Sequence, residues 1–373
     1  MAQSLAETKR IVVKIGSSLL VDETSGQIHQ TWLARLVEDL VFYWKRGKDI
    51  VIVSSGAIAL GRSQLNLKKP KLQLQEKQAA AAIGQIKLAH AYQTLLAQHT
   101  ITAAQVLMTL EDSENRQRYL NAKNTLETLL EQKIIPIINE NDTIATSEIR
   151  YGDNDRLAAR VSQMIAADTL VLLSDIEGLY TSNPHLNPAA ELIPEVKQLT
   201  PEIFAMAGDS STNYGSGGMI TKLAAAEMAL AFGCRMVIAA GKHLNPLQRI
   251  DQVRTKTWFI PQTTPMNARK NWIAQHLSPK GCLVIDQGAE NALLQGKSLL
   301  SVGVVMIEGI FHKGDAINIL NEKREEIARG LINYSSAEAQ KILGKQSDQI
   351  EQILGYFNSA EIIHRNDLVI YKR

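Results

Sequence analysis

The chain has 373 residues, 40 Lys and Arg against 38 Asp and Glu, and is 45% hydrophobic, 21% charged and 5% aromatic. That length allows about two domains of roughly 150 residues and a large core, and the composition excludes a disordered, collagen-like or disulfide-stapled chain. A net charge of +2 singles out no class of partner, and Cys234 and Cys282, far apart and without ligands at metal spacing, read as free thiols in a reducing cytosol.

The N-terminal run RIVVKIGSSLL is broken by Lys14 and then by Gly16-Ser17-Ser18, so no targeting segment is read there. Short Val- and Ile-rich runs at residues 11–13, 50–53, 134–138, 170–173 and 236–238 look like strands buried on both faces. Between the first two, Trp32, Leu33, Leu36, Val37, Leu40, Val41 and Trp44 recur at spacings of three and four and draw one apolar stripe on a helix. Strands alternating with helices predict an α/β domain with a mainly parallel sheet covered by helices. The best membrane-span candidate, residues 223–241, is interrupted by Glu227 and Arg235, so a soluble protein without a span is expected.

Ligands of an open parallel sheet bind beyond the carboxyl ends of its strands, and polar residues follow strand after strand here. Lys14 and Gly16 follow the first, Ser54-Ser55-Gly56 the second, Asn139-Glu140-Asn141-Asp142 the third run, and Ser174-Asp175 the fourth. One such cluster is an ordinary turn; four on one edge mark a site. Residues 149–161, IRYGDNDRLAARV, place Asp153, Asn154 and Asp155 at the start of a helix, where an acidic side chain caps the helix, faces a ligand, or does both. In residues 208–226, GDSSTNYGSGGMITKLAAA, small residues run into a helix beginning near Met219, which suits a backbone cradle for phosphate. It is neither a Walker A loop, since Lys222 follows Thr221, nor a dinucleotide fingerprint, since position 220 is Ile.

Pro261, Pro265 and Pro279 interrupt residues 261–279, which read as a linker between an α/β domain over 1–260 and a second module over 280–373. In that module, β-like runs at 283–285, 302–307 and 316–320 alternate with Gly281, Gly288, Gly296, Gly303, Gly309 and Gly314, the pattern of a small, mostly β unit.

Six of these stretches, in order, resemble the glutamate 5-kinase family of the amino-acid kinase superfamily: RIVVKIGSSLL, IVIVSSGAIALG, PIINENDTIAT, IRYGDNDRLAA, VLLSDIEGLYT and YGSGGMITKLAAA. In the tail, LVIDQGAENALL, GIFHKGDAINIL and ARGLINYSS are similar to the PUA domain that many bacterial members carry. The resemblance implies a three-layer αβα sandwich, the amino-acid kinase fold, followed by a PUA-like barrel. It implies phosphorylation of the side-chain carboxylate of L-glutamate by ATP with Mg²⁺, giving L-glutamyl 5-phosphate for proline biosynthesis. It further implies a cytoplasmic homodimer or homotetramer with proline as inhibitor; because the product's own α-amine can attack its acyl phosphate, a glutamyl phosphate reductase is the expected partner.

Residue by residue, the resemblance implies that Lys14 and Lys222 contact the transferring phosphoryl group and that Asp155 holds them. Ser55, Asp142 and Asn154 match positions that grip glutamate, with Asn139 in the same loop. Lys14, Ser174 and Asp175, with Ser216, Gly217, Gly218, Met219, Ile220, Thr221 and Lys222, match the ATP site. Arg150 stands where the family commonly has lysine, and Ser174 where it commonly has threonine.

These residue types suit that chemistry. Transfer to a carboxylate brings anions together, and two unit charges about 4 Å apart repel by about 4 kcal/mol at an effective dielectric near 20. Fixed cations are therefore required, whereas a carboxylate already ionised at pH 7 needs no general base, and the scattered histidines are assigned no catalytic role. Mg²⁺ is expected to bridge the β- and γ-phosphates with several waters and no dedicated protein cage. Asp142 is expected to receive the α-ammonium, with Ser55 and Asn154 on the carboxylates; a buried Asp142 without that cation would disfavour N-acetylglutamate.

Acetylglutamate kinase and aspartokinase share such a sheet and phosphate loop; the NEND run at 139–142, the GDND run at 152–155 and the C-terminal module set this chain apart. RNA binding through the tail is the reading from another class. Residues 280–373 carry 11 Lys and Arg against 12 Asp and Glu, without the basic excess of a nucleic-acid surface, so RNA is not expected.

Overall fold

Eight strands of the computed structural model form one sheet: β1 (Arg10–Ile15), β2 (Asp49–Ser54), β3 (Ala103–Met108), β4 (Ile135–Glu140), β5 (Thr169–Ser174), β6 (Glu195–Val196), β7 (Arg235–Ala240) and β8 (Lys256–Phe259). Their order is β3-β4-β2-β1-β5-β7-β8-β6. The strands from β3 to β7 in that order pair in parallel, β8 runs antiparallel to β7, and β6 is parallel to β8. The structure describes residues 4–22, 24–67, 72–145, 154–184, 186–207 and 218–371, apart from the side chains of 269, 272, 275 and 276.

Helices α1 (Ser17–Leu20), α2 (Gln30–Trp44), α3 (Ala57–Gln64), α4 (Leu74–Ala97), α5 (Leu110–Glu114), α6 (Arg116–Glu131), α7 (Asn154–Met164), α8 (Pro201–Ala205), α9 (Met219–Ala231) and α10 (Pro246–Gln252) complete this unit. Successive strand residues point to opposite faces. Ile11 and Val13 join one core with Leu33, Leu36 and Leu40 of α2 and Leu88 and Tyr92 of α4. Val12, Val51 and Leu172 join the other, with Leu126 of α6, Leu157 of α7 and Leu223 of α9. The result is the three-layer αβα sandwich with a mainly parallel sheet. Every residue of β2, β4 and β5 is buried, because helices cover both faces, and the strands therefore read as continuous apolar runs.

Helices α3 and α4 touch backbone to backbone. A Cβ on Gly61 would lie 1.8 Å from the Ala80 carbonyl oxygen, and one on Gly84 would lie 1.7 Å from that of Ala57. Gly56, between Ser55 and α3, turns the chain at φ +110°, a conformation that side-chain-bearing residues rarely adopt.

The chain divides into units of residues 1–265 and 266–373. Within the stretch expected to lack regular structure, residues 265–276 form α11 (Pro265–His276). Pro265 is its first residue, where the missing N–H breaks no helical bond, so a proline that looks like an interruption opens a helix instead. The second unit holds a separate sheet of β9 (Gly281–Ile285), β10 (Val304–Gly309), β11 (Ala316–Leu320), β12 (Glu326–Leu331) and β13 (Leu368–Ile370), ordered β10-β9-β11-β12-β13. With α12 (Gln287–Leu294), α13 (Ser336–Lys341) and α14 (Ile350–Leu354) it encloses a core that includes Leu283, Phe311, Ile317 and Tyr334. Cys234 and Cys282 are free; burial is the main cause that pushes the Cys234 thiol up to about 12. No helix among the described residues is long and apolar enough to cross a membrane.

Candidate active site

Because β1, β2, β4 and β5 are parallel, the polar residues that follow each apolar run emerge on one edge of the sheet. Lys14 comes from β1, Ser54 and Ser55 from the end of β2, Asn139 from β4 and Ser174 from β5. The first turns of α7 and α9 face the same edge and bring Asn154, Asp155 and Lys222. Asp155 is fully buried between two ammonium groups, with Lys14 Nζ 2.6 Å from Oδ1 and Lys222 Nζ 3.2 Å from Oδ2. Burial by itself pushes the Asp155 carboxyl up; the two lysines outweigh it and hold the group below its ordinary range. The Thr221 hydroxyl donates to the Gly218 carbonyl at 2.7 Å and lies 3.4 Å from Asp155 Oδ2, so Thr221 braces this cluster. Two ammonium groups on the cleft wall suit an anionic ligand.

A cleft of about 700 Å³ opens over this cluster. Lys14, Ser55, Asn154, Ser174, Asp175, Gly218, Met219 and Lys222 line it, together with Gly16, Ser17 and Ser18. Leu179, Met206 and Ala207 supply an apolar wall. Ser174 Oγ donates to Asp175 Oδ1 at 3.0 Å. Tyr180 also lines the cleft, its hydroxyl donating to Glu177 Oε2 at 2.8 Å; burial and that carboxylate push it up to about 12.

Beside the lysines, Asn154 Nδ2 meets the Ser55 hydroxyl at 2.8 Å, Asn139 Oδ1 at 2.8 Å and the Ser54 carbonyl at 3.2 Å. Asn139 Nδ2 in turn donates to Gln85 Oε1 of α4 at 2.8 Å. Asp142 lies half-buried in the turn after β4 and does not line the cleft among its described residues. Asn139 likewise lies behind Asn154 rather than on the cleft wall. Ile220 is not on the wall either. Ser216, Gly217 and Arg150 lie outside the described residues.

Sequence reasoning missed Ser17 and Ser18, whose place directly after the Lys14 motif was a usable signal, and Met206, which follows no motif. It also missed Gln85, which sits in an alanine-rich helix with nothing local to mark it.

A model of the amino acid kinase family matches residues 9–240, and a PUA domain model matches residues 281–354. The chain is 55% identical to the glutamate 5-kinase of Paramagnetospirillum magneticum, over 98% of this chain and 99% of that protein. It is 53% identical to the glutamate 5-kinase of Rhodospirillum rubrum, over 97% of this chain and 96% of that one. With the glutamate 5-kinase of Agrobacterium fabrum the identity is 54%, over 98% and 94% respectively.

Proposed function

The chain belongs to the amino acid kinase family and, within it, to the glutamate 5-kinases, and from that premise we propose how its residues carry the reaction. It is an ATP-dependent kinase of L-glutamate. The observation that carries the site assignment is the buried Lys14–Asp155–Lys222 cluster on the wall of the cleft.

In this reading the γ-phosphoryl group of MgATP lies against Lys14 and Lys222. A side-chain carboxylate oxygen of glutamate attacks phosphorus in line, the bond to the β,γ-bridging oxygen breaks, and ADP leaves with the electron pair. No proton moves. Lys14 and Lys222 compensate the charge that collects between attacking and leaving oxygens, and Asp155 keeps both stems in place without touching substrate. Asp155 is not offered to a metal, since both its oxygens face ammonium groups; Mg²⁺ enters with the nucleotide as part of the substrate. Ser174, Asp175, Gly218 and Met219 contact the nucleotide; Ser55, Asn154 and Asp142 receive glutamate.

Hydroxylamine traps an acyl phosphate as a hydroxamate. With MgATP and L-glutamate the protein is expected to give hydroxamate, with far less from N-acetylglutamate or aspartate. Lys14→Ala is expected to lower kcat by about 10²- to 10³-fold, the range for losing one group that stabilises transition-state charge. Product from another acceptor alone would move the substrate assignment. Asp142→Ala is expected to raise the KM for glutamate and weaken rejection of N-acetylglutamate; unchanged values would remove Asp142 from the site.

Proline shares the α-amino and α-carboxylate pattern of glutamate, so competition by proline at the Asp142–Asn154 end is part of this proposal, and titrating proline at several glutamate concentrations tests it. Glutamyl 5-phosphate cyclises through its own amine, which makes a glutamyl phosphate reductase the fitting recipient, and a homodimer or homotetramer the assembly to look for by sedimentation.

A further inference from the structure

One face of α4 builds the underside of the acceptor end of the site. Gln78, Gln85 and Tyr92 are spaced by about two helical turns. Gln78 Nε2 donates to the Ala145 carbonyl at 3.2 Å, Gln85 Oε1 accepts from Asn139 Nδ2 at 2.8 Å, and the Tyr92 and Ser54 hydroxyls share a hydrogen bond of 3.0 Å. Gln85 is 8% exposed. Its Nε2 is buried and has no partner among the described residues.

Two backbone partners show which way these amides point. The Glu140 N–H donates to Asn139 Oδ1 at 2.9 Å, so the nitrogen end of Asn139 is the end that faces Gln85. The Ser54 carbonyl accepts from Asn154 at 3.2 Å, so Asn154 turns its nitrogen inward, where it also meets Ser55 Oγ and Asn139 Oδ1. The two N–H groups of Asn154 are thus spent inside the protein, and its carbonyl oxygen is what it can offer a ligand. Ser55 Oγ, already accepting from Asn154, keeps its O–H to donate.

We propose that Gln85 is a positioning residue for the acceptor amino acid: by holding Asn139, it sets Asn154 to present a carbonyl oxygen and Ser55 to present a hydroxyl hydrogen. The proposal rests on the glutamate-kinase reading and sharpens it. It reverses the expected partner of Asn154, because a carbonyl oxygen suits the α-ammonium, leaving Ser55 for a carboxylate. A Gln85 nitrogen without a partner among the described residues is the cost of placing its oxygen against Asn139.

The test is steady-state kinetics of the full-length protein with L-glutamate and with glutarate, which lacks the ammonium. Gln85→Met keeps length and volume but removes the strong acceptor; Gln85→Glu keeps an acceptor oxygen. Gln85→Met is expected to raise the KM for glutamate about tenfold, with kcat changed by less than about twofold and the KM for ATP steady. Its preference for glutamate over glutarate shrinks, because an Asn139 no longer held by Gln85 lets Asn154 shift away from the ammonium, and Gln85→Glu recovers most of both effects. A purely packing role gives the opposite order, with Gln85→Met like wild type, Gln85→Glu impaired and the preference unmoved, and that result overturns the proposal. Should Gln85→Met not fold, loss of the glutamate preference in Gln85→Glu overturns it alone. A wild-type protein that phosphorylates neither acceptor overturns the reaction itself and this proposal with it, and the wild-type arm reports that before any variant is compared.

Discussion

Asp155 concentrates the energetics of the site in one side chain. It is fully buried, and the attraction of Lys14 and Lys222 prevails over burial, so its folded-state pKa lies below the ordinary 3.8. Asp155→Asn removes the carboxylate that both nearly buried ammonium groups face, and a loss of about 3 to 5 kcal/mol at neutral pH is expected from urea unfolding. The sign of the pH effect follows from the lowered pKa: the carboxylate's contribution is complete above 3.8 and is lost as pH falls below that toward the folded value. The gap between wild type and Asp155→Asn should therefore narrow only in acid; a gap that holds constant down to the folded pKa would argue against the charge cluster. Lys14, Asp155 and Lys222 were legible in the sequence because each sits in a short motif beside a strand end or helix start. Gln85 was not, because its role depends on Asn139, which lies 54 positions away in the chain.

At the scale of elements, the fit of α3 against α4 governs how closely Gln85 and Tyr92 approach the strand ends. A Cβ at Gly84 would meet the Ala57 carbonyl oxygen at 1.7 Å, and backbone cannot yield as a side-chain tip can. Gly84→Ala is expected to destabilise the protein by about 2 kcal/mol or more in urea and to raise the KM for glutamate. An unchanged unfolding midpoint would show that the helices can part without consequence. The stripe of α2 was readable because large apolar residues mark one face, whereas α4 packs through Ala80, Ala81 and Gly84 and shows no such contrast. Trp258, just before the residues read as a linker, is a fully buried residue of β8, a strand of only four residues paired with β7. Too short to display a period, such a strand is recognised only by its neighbour.

For the whole molecule, each unit has its own hydrophobic clusters, and every described residue of the cleft wall lies in residues 1–265. A fragment of residues 1–265 is expected to fold and to form hydroxamate with kcat within about threefold of the intact chain, and calorimetry of the intact chain should resolve two transitions. Loss of activity in a folded fragment would tie the second unit to catalysis. By itself the sequence determined the alternation of strands and helices, the strand ends that carry chemistry, the β-rich tail and the family, because each is written in local periodicity or in contiguous motifs. Tertiary structure alone decided that β1 lies between β2 and β5, that Lys14 and Lys222 share one carboxylate, and that Asn154 turns its nitrogen inward. Those outcomes depend on pairings between residues far apart in the chain, and the direction of a hydrogen bond is set by the partner that folding supplies.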